Sequence, residues 1–455
     1  MTFVPALVPV PGPRGLPVLG NLIPFGRDPL AFLERLRDDF GDAVTWSLGP
    51  IRALLLSHPD HIAELLASDH RQYGILDAGW AFKRLVGDSV IRSEGPDWRR
   101  KRSLVQPVVR PRQVRKHAAA MVECAQLLAG RWRDGDRIDV GREMALLTQR
   151  IVGRTLFGED PGDPARALCD AMAAAGRELG AELRGIGVLL PAWMRTPGRN
   201  RLLAAVATID TEMTRLIRLR LQSGTSAAQG DDLLSQLLAA RDEQGRPLSA
   251  KEVRDEAVTL WVGGHETTAT TLTWAWSLLS TSSDARSRLT SELDQVLAGR
   301  APAMEDYEQL VWTQQVVKEA LRLYPPGWMI PPRVARESAT IAGRPLAPGT
   351  TVWCSQWSTH RDARWFPDPT AFRPERWDPG TTTDTTDRAW FPFGGGPRSC
   401  LGARYGFVQT VLVLATLAQR FHLDCAPPTP TPAIGLLLQP SESLYATLRA
   451  RSPHA

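Results

Sequence analysis

Apolar and polar positions alternate along the chain in two periods, and together they predict a mostly helical protein with a small β region. Asp28 to Phe40 has the i, i+3, i+4 spacing of a short amphipathic helix, and Pro59 starts another that runs to about Ala67. Between them, Ala43 to Leu48 and Ile51 to Ser57 read as a hairpin around Gly49-Pro50. Helical patterning continues from about 111 to 222, with breaks near Asp134–Arg137, Gly158–Pro164 and Gly185–Pro197. Ser249-x-x-Glu252 is a capping box that opens a long helix to about Ser280. Further helices cover 284–298 and the proline-free apolar run from Leu401 to Phe421. Val334 to Ile341, Thr350 to Cys354 and 443–450 read as strands.

Other stretches lack a period. Residues 11–24 are extended because their prolines deny helix. Residues 70–95 hold Trp80, Phe82, Leu85 and Val86 without a regular repeat, as a cavity lining or loop anchors would. SGTSAAQGD (223–231) and TTTDTTD (381–387) read as polar surface segments.

Composition narrows the class. No linker divides the 455 residues, and 43% apolar content supports one large packed core. A net charge of +5 gives no reason to expect nucleic acid. The five cysteines (Cys124, Cys169, Cys354, Cys400 and Cys425) are odd in number, widely spaced and without a CxxC pair. That fits a reduced, cytoplasmic protein with no disulfide framework. The N-terminus has no run of about 20 apolar residues and no basic leader, so neither a membrane anchor nor a signal peptide is expected.

The chemistry concentrates at FGGGPRSCLG, Phe393 to Gly402. Three glycines make a tight turn there, and Cys400 stands at or just before the start of the last apolar helix. Helix N-terminal N–H groups and the dipole favour thiolate, the form of cysteine that ligates metal. Gly402 leaves room for a flat ring against the first turn, and Arg398 can reach an anionic group beside the sulfur. A buried structural cysteine is the competing explanation. In the long helix, VGGHETT places two glycines in an apolar interior, at a cost of roughly 1 kcal/mol each relative to alanine. Thr267 can return its hydroxyl to the Gly263 carbonyl four residues back, which bends a helix and makes room for water.

Phe393, Gly396, Arg398, Cys400 and Gly402 fill every fixed position of Phe-x-x-Gly-x-Arg-x-Cys-x-Gly, so the chain resembles the cytochrome P450 family. VGGHETT, Glu319-x-x-Arg322 followed by Leu-Tyr-Pro-Pro, PERW with Arg376, and Trp98-x-x-x-Arg102 follow in that family's order. The resemblance covers nearly the whole chain. It implies a triangular prism of helices, as one haem domain over 1–455 with a proline-rich lead-in over 1–27 and no fused reductase. Haem b would lie between the long central helix and the helix after Cys400, with the Cys400 thiolate as axial ligand. Trp98, Arg102 and Arg333 would hold its propionates, and Arg398, Phe393, Gly396 and Gly402 of the loop would also bind the cofactor. Glu266 and Thr267 would form the acid–alcohol pair that delivers protons while O2 is activated. Thr268 is expected to be structural and His265 to pack or face outward. Glu319, Arg322 and Arg376 would form a buried charge network.

The resemblance also places Trp80, Phe82, Leu189, Trp193, Leu260, Trp261, Gly263, Trp328, Met329 and Leu436 around the substrate. With no charge aimed inward, they favour a neutral lipophilic molecule. A terpenoid of secondary metabolism is expected first, with a steroid, fatty acid or macrolide precursor as alternatives. Electrons from NAD(P)H would arrive through a separate ferredoxin or flavodoxin at Arg99, Arg100, Arg112, Arg115 and Lys116. A monomer is expected. Peroxide-driven oxidation, isomerisation or dehydration on the same fold would not need the Glu266–Thr267 pair. A haem sensor would need a partner segment, and none is apparent.

Overall fold

A computed structural model describes residues 11–451 except 69–70, 78, 157, 159–162, 185–189, 223–231, 382 and 428. Leu189, the 223–231 segment and the first ten residues of the lead-in therefore lie outside the described residues.

In chain order the first elements are α1 (Leu22–Arg27), α2 (Pro29–Phe40), β1 (Ala43–Leu48), β2 (Ile51–Leu56), α3 (Pro59–Ala67) and β3 (Tyr73–Ile75). Next come α4 (Gly79–Val86), α5 (Gly95–Val105), α6 (Pro111–Ala129), β4 (Arg137–Asp139), α7 (Val140–Leu156), α8 (Asp163–Arg184) and α9 (Pro197–Gln222). The middle of the chain holds α10 (Leu233–Ala239), α11 (Ala250–Thr281), α12 (Ser283–Leu297) and α13 (Val311–Leu323). After these run β5 (Arg333–Ala335), β6 (Ala339–Ile341), β7 (Arg344–Leu346), β8 (Thr351–Cys354), α14 (Gln356–His360) and α15 (Asp384–Ala389). The chain closes with α16 (Ala403–Ala418), β9 (Phe421–Ala426), β10 (Pro432–Ile434), β11 (Leu438–Pro440) and β12 (Tyr445–Ala450).

These elements form two compact units. The first combines the chain up to Asp77 with Gly327–Ala371 and Pro379–Cys400. Its five-stranded sheet has the order β1-β2-β8-β5-β3, with β2 and β8 parallel and the other pairs antiparallel. The hairpin register Leu48↔Ile51 leaves Gly49 and Pro50 as its turn, as the sequence predicts. Leu54, Leu56, Ile62, Leu65, Ile330 and Phe391 pack in one apolar cluster of this unit.

The second unit contains Ala78–Pro326, Phe372–Asp378 and everything from Leu401. It holds the long helices and the sheet β4-β12-β9. The Ser249 capping box forms in full: its hydroxyl accepts from the Glu252 N–H at 3.2 Å, and its own N–H donates to Glu252 Oε2 at 2.8 Å. The resulting α11 buries Trp274, Ala275 and Trp276, which explains its nearly all-round apolar pattern. Among the described residues no helix is long and apolar enough to cross a membrane.

Two expected loops are regular. Residues 79–86 form α4, with Ala81, Leu85 and Val86 buried on one side. The threonine-rich tract folds into α15, where Thr383 caps by accepting from the Thr386 N–H at 3.2 Å.

Candidate functional site

The cysteine loop belongs to the first unit. The Phe391 N–H donates to His360 Nε2 at 3.1 Å, the Gly394 N–H to the Phe391 carbonyl at 2.9 Å, and the Cys400 N–H to the Phe393 carbonyl at 2.9 Å. Gly394 and Gly396 take left-handed φ of 69° and 64°, while Gly395 is extended. A Cβ on Gly396 would fall 2.0 Å from the Leu66 carbonyl oxygen, so only glycine lets this turn close on the end of α3. Phe393 is half-buried and meets Trp390 edge-on at 6.5 Å.

The four described cysteines differ sharply in environment. Cys124, Cys354 and Cys425 are buried and Cys400 is exposed. Burial pushes the Cys354 thiol to about 12, and the Cys425 thiol to about 11. Among the described cysteines, therefore, only Cys400 can offer sulfur to a group outside the protein fold. In the same unit, Arg333 is buried where it opens β5, Trp328 is buried and Met329 half-buried. The Trp328 carbonyl accepts from Ser355 Oγ at 3.0 Å and the Trp357 N–H at 3.2 Å, which fixes the 328–330 turn.

The proposed acid and alcohol belong to the second unit. Thr267 Oγ1 donates to the Gly263 carbonyl at 2.7 Å, the return bond that the spacing predicts. Thr268 does the same to Gly264 at 3.2 Å, and Thr271 to Thr267 at 2.9 Å. Three threonine hydroxyls thus donate into carbonyls of one turn and a half of α11, the kind of bonding that loosens a helix locally. A Cβ on Gly263 would meet nothing within 4 Å, so that face opens onto free space. Burial raises the Glu266 carboxyl to about 7, against the pull of the Arg177 charge. His265 is a packing residue: it is buried, its Nδ1 donates to the Trp261 carbonyl at 2.9 Å, and burial lowers it to about 4.

Several expected pocket residues need correction. Trp261 is 1% exposed and packs edge-on against His265, so it belongs to the helix core. The helical period explains this, because 261 and 265 share one face while 260, 263, 264 and 267 share another. Trp193 is 76% exposed, so it stands at the surface of its unit. Trp80 is held at its polar edge: Nε1 donates to Glu182 Oε1 at 3.2 Å, and the Arg199 guanidinium lies 4.8 Å over the ring. Phe82, Leu260 and Leu436 are half-buried. The backbone at Gly435 and Leu436, the tip that returns between β10 and β11, lies against Gly180 of α8.

The sequence reading missed Trp274 as the anchor of that tip. Its Nε1 donates to the Leu438 carbonyl at 3.1 Å, and its ring stacks on Tyr324 at 3.8 Å. Arg199 was also missed. It is 1% exposed, with Nε donating to Glu182 at 2.8 Å and further bonds to the carbonyls of Leu190, Pro191 and Met194.

The charge network forms in the second unit around Glu319, which is 0% exposed. The carboxylate accepts from Arg322 Nε and Nη2 at 2.9 and 2.8 Å, and from Arg376 Nε at 2.9 Å. Trp377 Nε1 donates to it at 3.0 Å and the Arg373 N–H at 3.1 Å. On α5, Trp98 is buried and Arg102 half-buried.

The basic face also needs one correction. Arg100 pairs with Glu252 at 2.7 Å and Asp242 at 3.1 Å, so its charge is neutralised within the unit. Lys101 is buried on Asp97, Ser93 and the Asp88 carbonyl. Arg99, Arg112, Arg115 and Lys116 are exposed, and Arg115 also meets Glu305 at 3.3 Å.

Comparison with known proteins agrees with this geometry. The family model described as Cytochrome P450 matches residues 10–446. The chain is 35% identical to cyclooctatin synthase of Streptomyces melanosporofaciens over 94% of its own length and 93% of that protein. It is also 35% identical to cyclooctat-9-en-7-ol 5-monooxygenase of the same organism, over 92% and 90% of the two chains. Pentalenene oxygenase of Streptomyces avermitilis is 31% identical over 97% of both. A glycine-cradled exposed thiol, a threonine-bonded central helix and a match along almost the entire chain lead to one conclusion: this protein belongs to the cytochrome P450 family of haem-thiolate enzymes and is an oxygen-incorporating oxidoreductase.

Proposed function

We propose that the protein inserts one oxygen atom of O2 into a C–H or C=C bond of a terpenoid. Two findings support that substrate class: relatives named for terpenoid oxidation match the chain nearly end to end, and the half-buried candidates Phe82, Leu260, Met329 and Leu436 are all apolar. Cys400 is the axial ligand, and the observation that carries this is its exposure when the other described cysteines are buried. Arg398, Phe393, Gly396 and Gly402 of its loop also bind the cofactor, and Trp98, Arg102 and Arg333 hold the propionates. When bound, haem supplies the oxygen chemistry with two electrons. The protein's own groups supply pose and protons. Glu266, poised near neutral pH, exchanges protons with solvent, and the Thr267 hydroxyl orients water in the groove beside Gly263.

Electrons come from NAD(P)H through a separate ferredoxin or flavodoxin, steered by Arg99, Arg112, Arg115 and Lys116. The protein works as a cytoplasmic monomer. The test has two steps. Reduced protein with carbon monoxide should show the red-shifted Soret band of thiolate ligation, and Cys400→Ser should lose it. Titration of ferric protein with cyclooctat-9-en-7-ol and pentalenene should then shift low spin to high spin, while a saturated fatty acid should not. A shift with the fatty acid alone would overturn the terpenoid assignment. A histidine-type band in fully loaded wild-type protein would overturn the ligand. Charge reversal of Arg112 and Arg115 should slow reduction at low salt, and unchanged rates would remove that docking face.

A further inference from the structure

We propose that Gly176 of α8 is a positioning residue for the reaction: by lacking a side chain it leaves the space in which the Glu266 carboxyl of α11 stands. An ideal Cβ at 176 would lie 2.9 Å from Glu266 Oε1, 3.6 Å from Oε2 and 3.7 Å from the carboxyl carbon. These are the three nearest heavy atoms, so the vacancy is filled by that carboxyl. Glu266 makes no hydrogen bond to any described residue, and its position is therefore set by packing. One turn further along α8, Gly180 gives the same clearance to the backbone at Leu436, 3.3 Å from where its Cβ would lie. Spacing of i, i+4 puts both glycines on one face. That face of α8 thus admits the acid of α11 at one level and the returning tip at the next.

The charges that bear on Glu266 are few. Arg177 of α8 lowers its affinity for a proton, while burial raises it. On its own helix, His265 is turned to the Trp261 carbonyl and stays neutral. A methyl group at 176 would meet the far end of a flexible side chain, which can swing aside. The backbone would not have to move, and alanine suits a helix interior better than glycine. Gly176→Ala should therefore fold as well as wild type or better and yet misplace the acid. The inference rests on the reading of Glu266 as the proton-delivering group.

The experiment compares haem-loaded wild type with Gly176→Ala, Glu266→Gln and the double variant. Three readouts are taken: thermal midpoint, infrared titration of the carboxyl band with Glu266→Gln as blank, and product per NADPH with pentalenene or cyclooctat-9-en-7-ol and a plant-type ferredoxin system. Gly176→Ala should keep or raise the midpoint. Its carboxyl should titrate below the wild-type value of about 7, because the displaced group is better solvated. Product per NADPH should fall about tenfold, less than the roughly 10²–10⁴-fold that outright loss of a general acid costs, because the acid is displaced and not removed. The double variant should be no worse than Glu266→Gln, since both act through one group. An unchanged carboxyl titration, a lowered midpoint or multiplying losses would each overturn the proposal. If Glu266→Gln is itself without effect, the acid reading and this inference fall together. If Glu266→Gln is impaired while Gly176→Ala matches wild type, only this inference falls.

Discussion

Replacing Glu319 with alanine tests the charge network at its centre. The carboxylate receives five hydrogen bonds, from Arg322 twice, Arg376, Trp377 and the Arg373 backbone. Arg322 has a side-chain exposure of 0%, so Glu319→Ala withdraws the anion that faces a fully desolvated cation. Breaking a buried pair from one side costs about 3–5 kcal/mol. The Trp377 and Arg373 donors lose the same acceptor, which places the effect toward the top of that range. Arg376 has a side-chain exposure of 10% and gives the carboxylate a single bond through Nε. Its removal leaves the Glu319–Arg322 pair intact, so Arg376→Ala should cost less than half as much. Pairing Glu319→Ala with Arg322→Leu removes the stranded charge and should recover part of the loss. Guanidinium unfolding followed by far-ultraviolet circular dichroism and tryptophan fluorescence measures all four proteins, and coincident transitions license the comparison. A Glu319→Ala cost below about 1 kcal/mol would refute the reasoning, because it lies well under the roughly 3–5 kcal/mol typical of stranding a buried charge. An equal cost for Arg376→Ala would refute the ranking.

Three further expectations follow from the same geometry. Burial pushes the Glu256 carboxyl from 4.5 to about 8, so its fold-stabilising protonation is complete below 4.5 and is lost as pH rises through 8. Glu256→Gln should accordingly flatten the fall in unfolding free energy over that window, and an unchanged slope in pH-dependent denaturation would disprove it. Gly396→Ala places a methyl on the Leu66 carbonyl at a φ of 64°, and should abolish the thiolate Soret band by distorting the Cys400 turn. A normal band would show that the turn tolerates a side chain. Arg199→Ala releases the carbonyls at 190, 191 and 194 and strands Glu182, so amide exchange across 190–196 should speed up at least tenfold. Unaltered exchange would mean that this arginine does not hold the segment.

What the sequence made legible was local. The Ser249 box, the Thr267 return bond and the 49–50 hairpin turn are set by residues within four positions of one another, and spacing alone specifies them. The ligand loop was legible because its glycines and cysteine are contiguous. Contacts over long separations were not. Arg100 finds Asp242 and Glu252 across 142 and 152 residues, and Trp80 finds Glu182 across 102. No periodicity reports such pairings, so a paired arginine was assigned to the docking face and a clasped tryptophan to the pocket. α4 escaped because eight residues give too few repeats to show a helical period. Gly176 was invisible for a different reason, since a glycine's importance lies in whatever occupies the space beside it.

The parallel pairing of β2 with β8 has a consequence for how the protein is made. Ala53 pairs with Thr351 and Leu56 with Cys354, across roughly three hundred intervening residues. During synthesis the hairpin emerges early, but the strand that covers its inner edge comes out near the end. Until then β2 presents unpaired amides and carbonyls, with the apolar row Ala53 to Leu56 alongside. Translation at about 5–20 residues per second leaves that edge uncovered for some 15–60 seconds. Slowing translation downstream of the hairpin should therefore lower the yield of folded protein, and a co-expressed holdase chaperone should restore it.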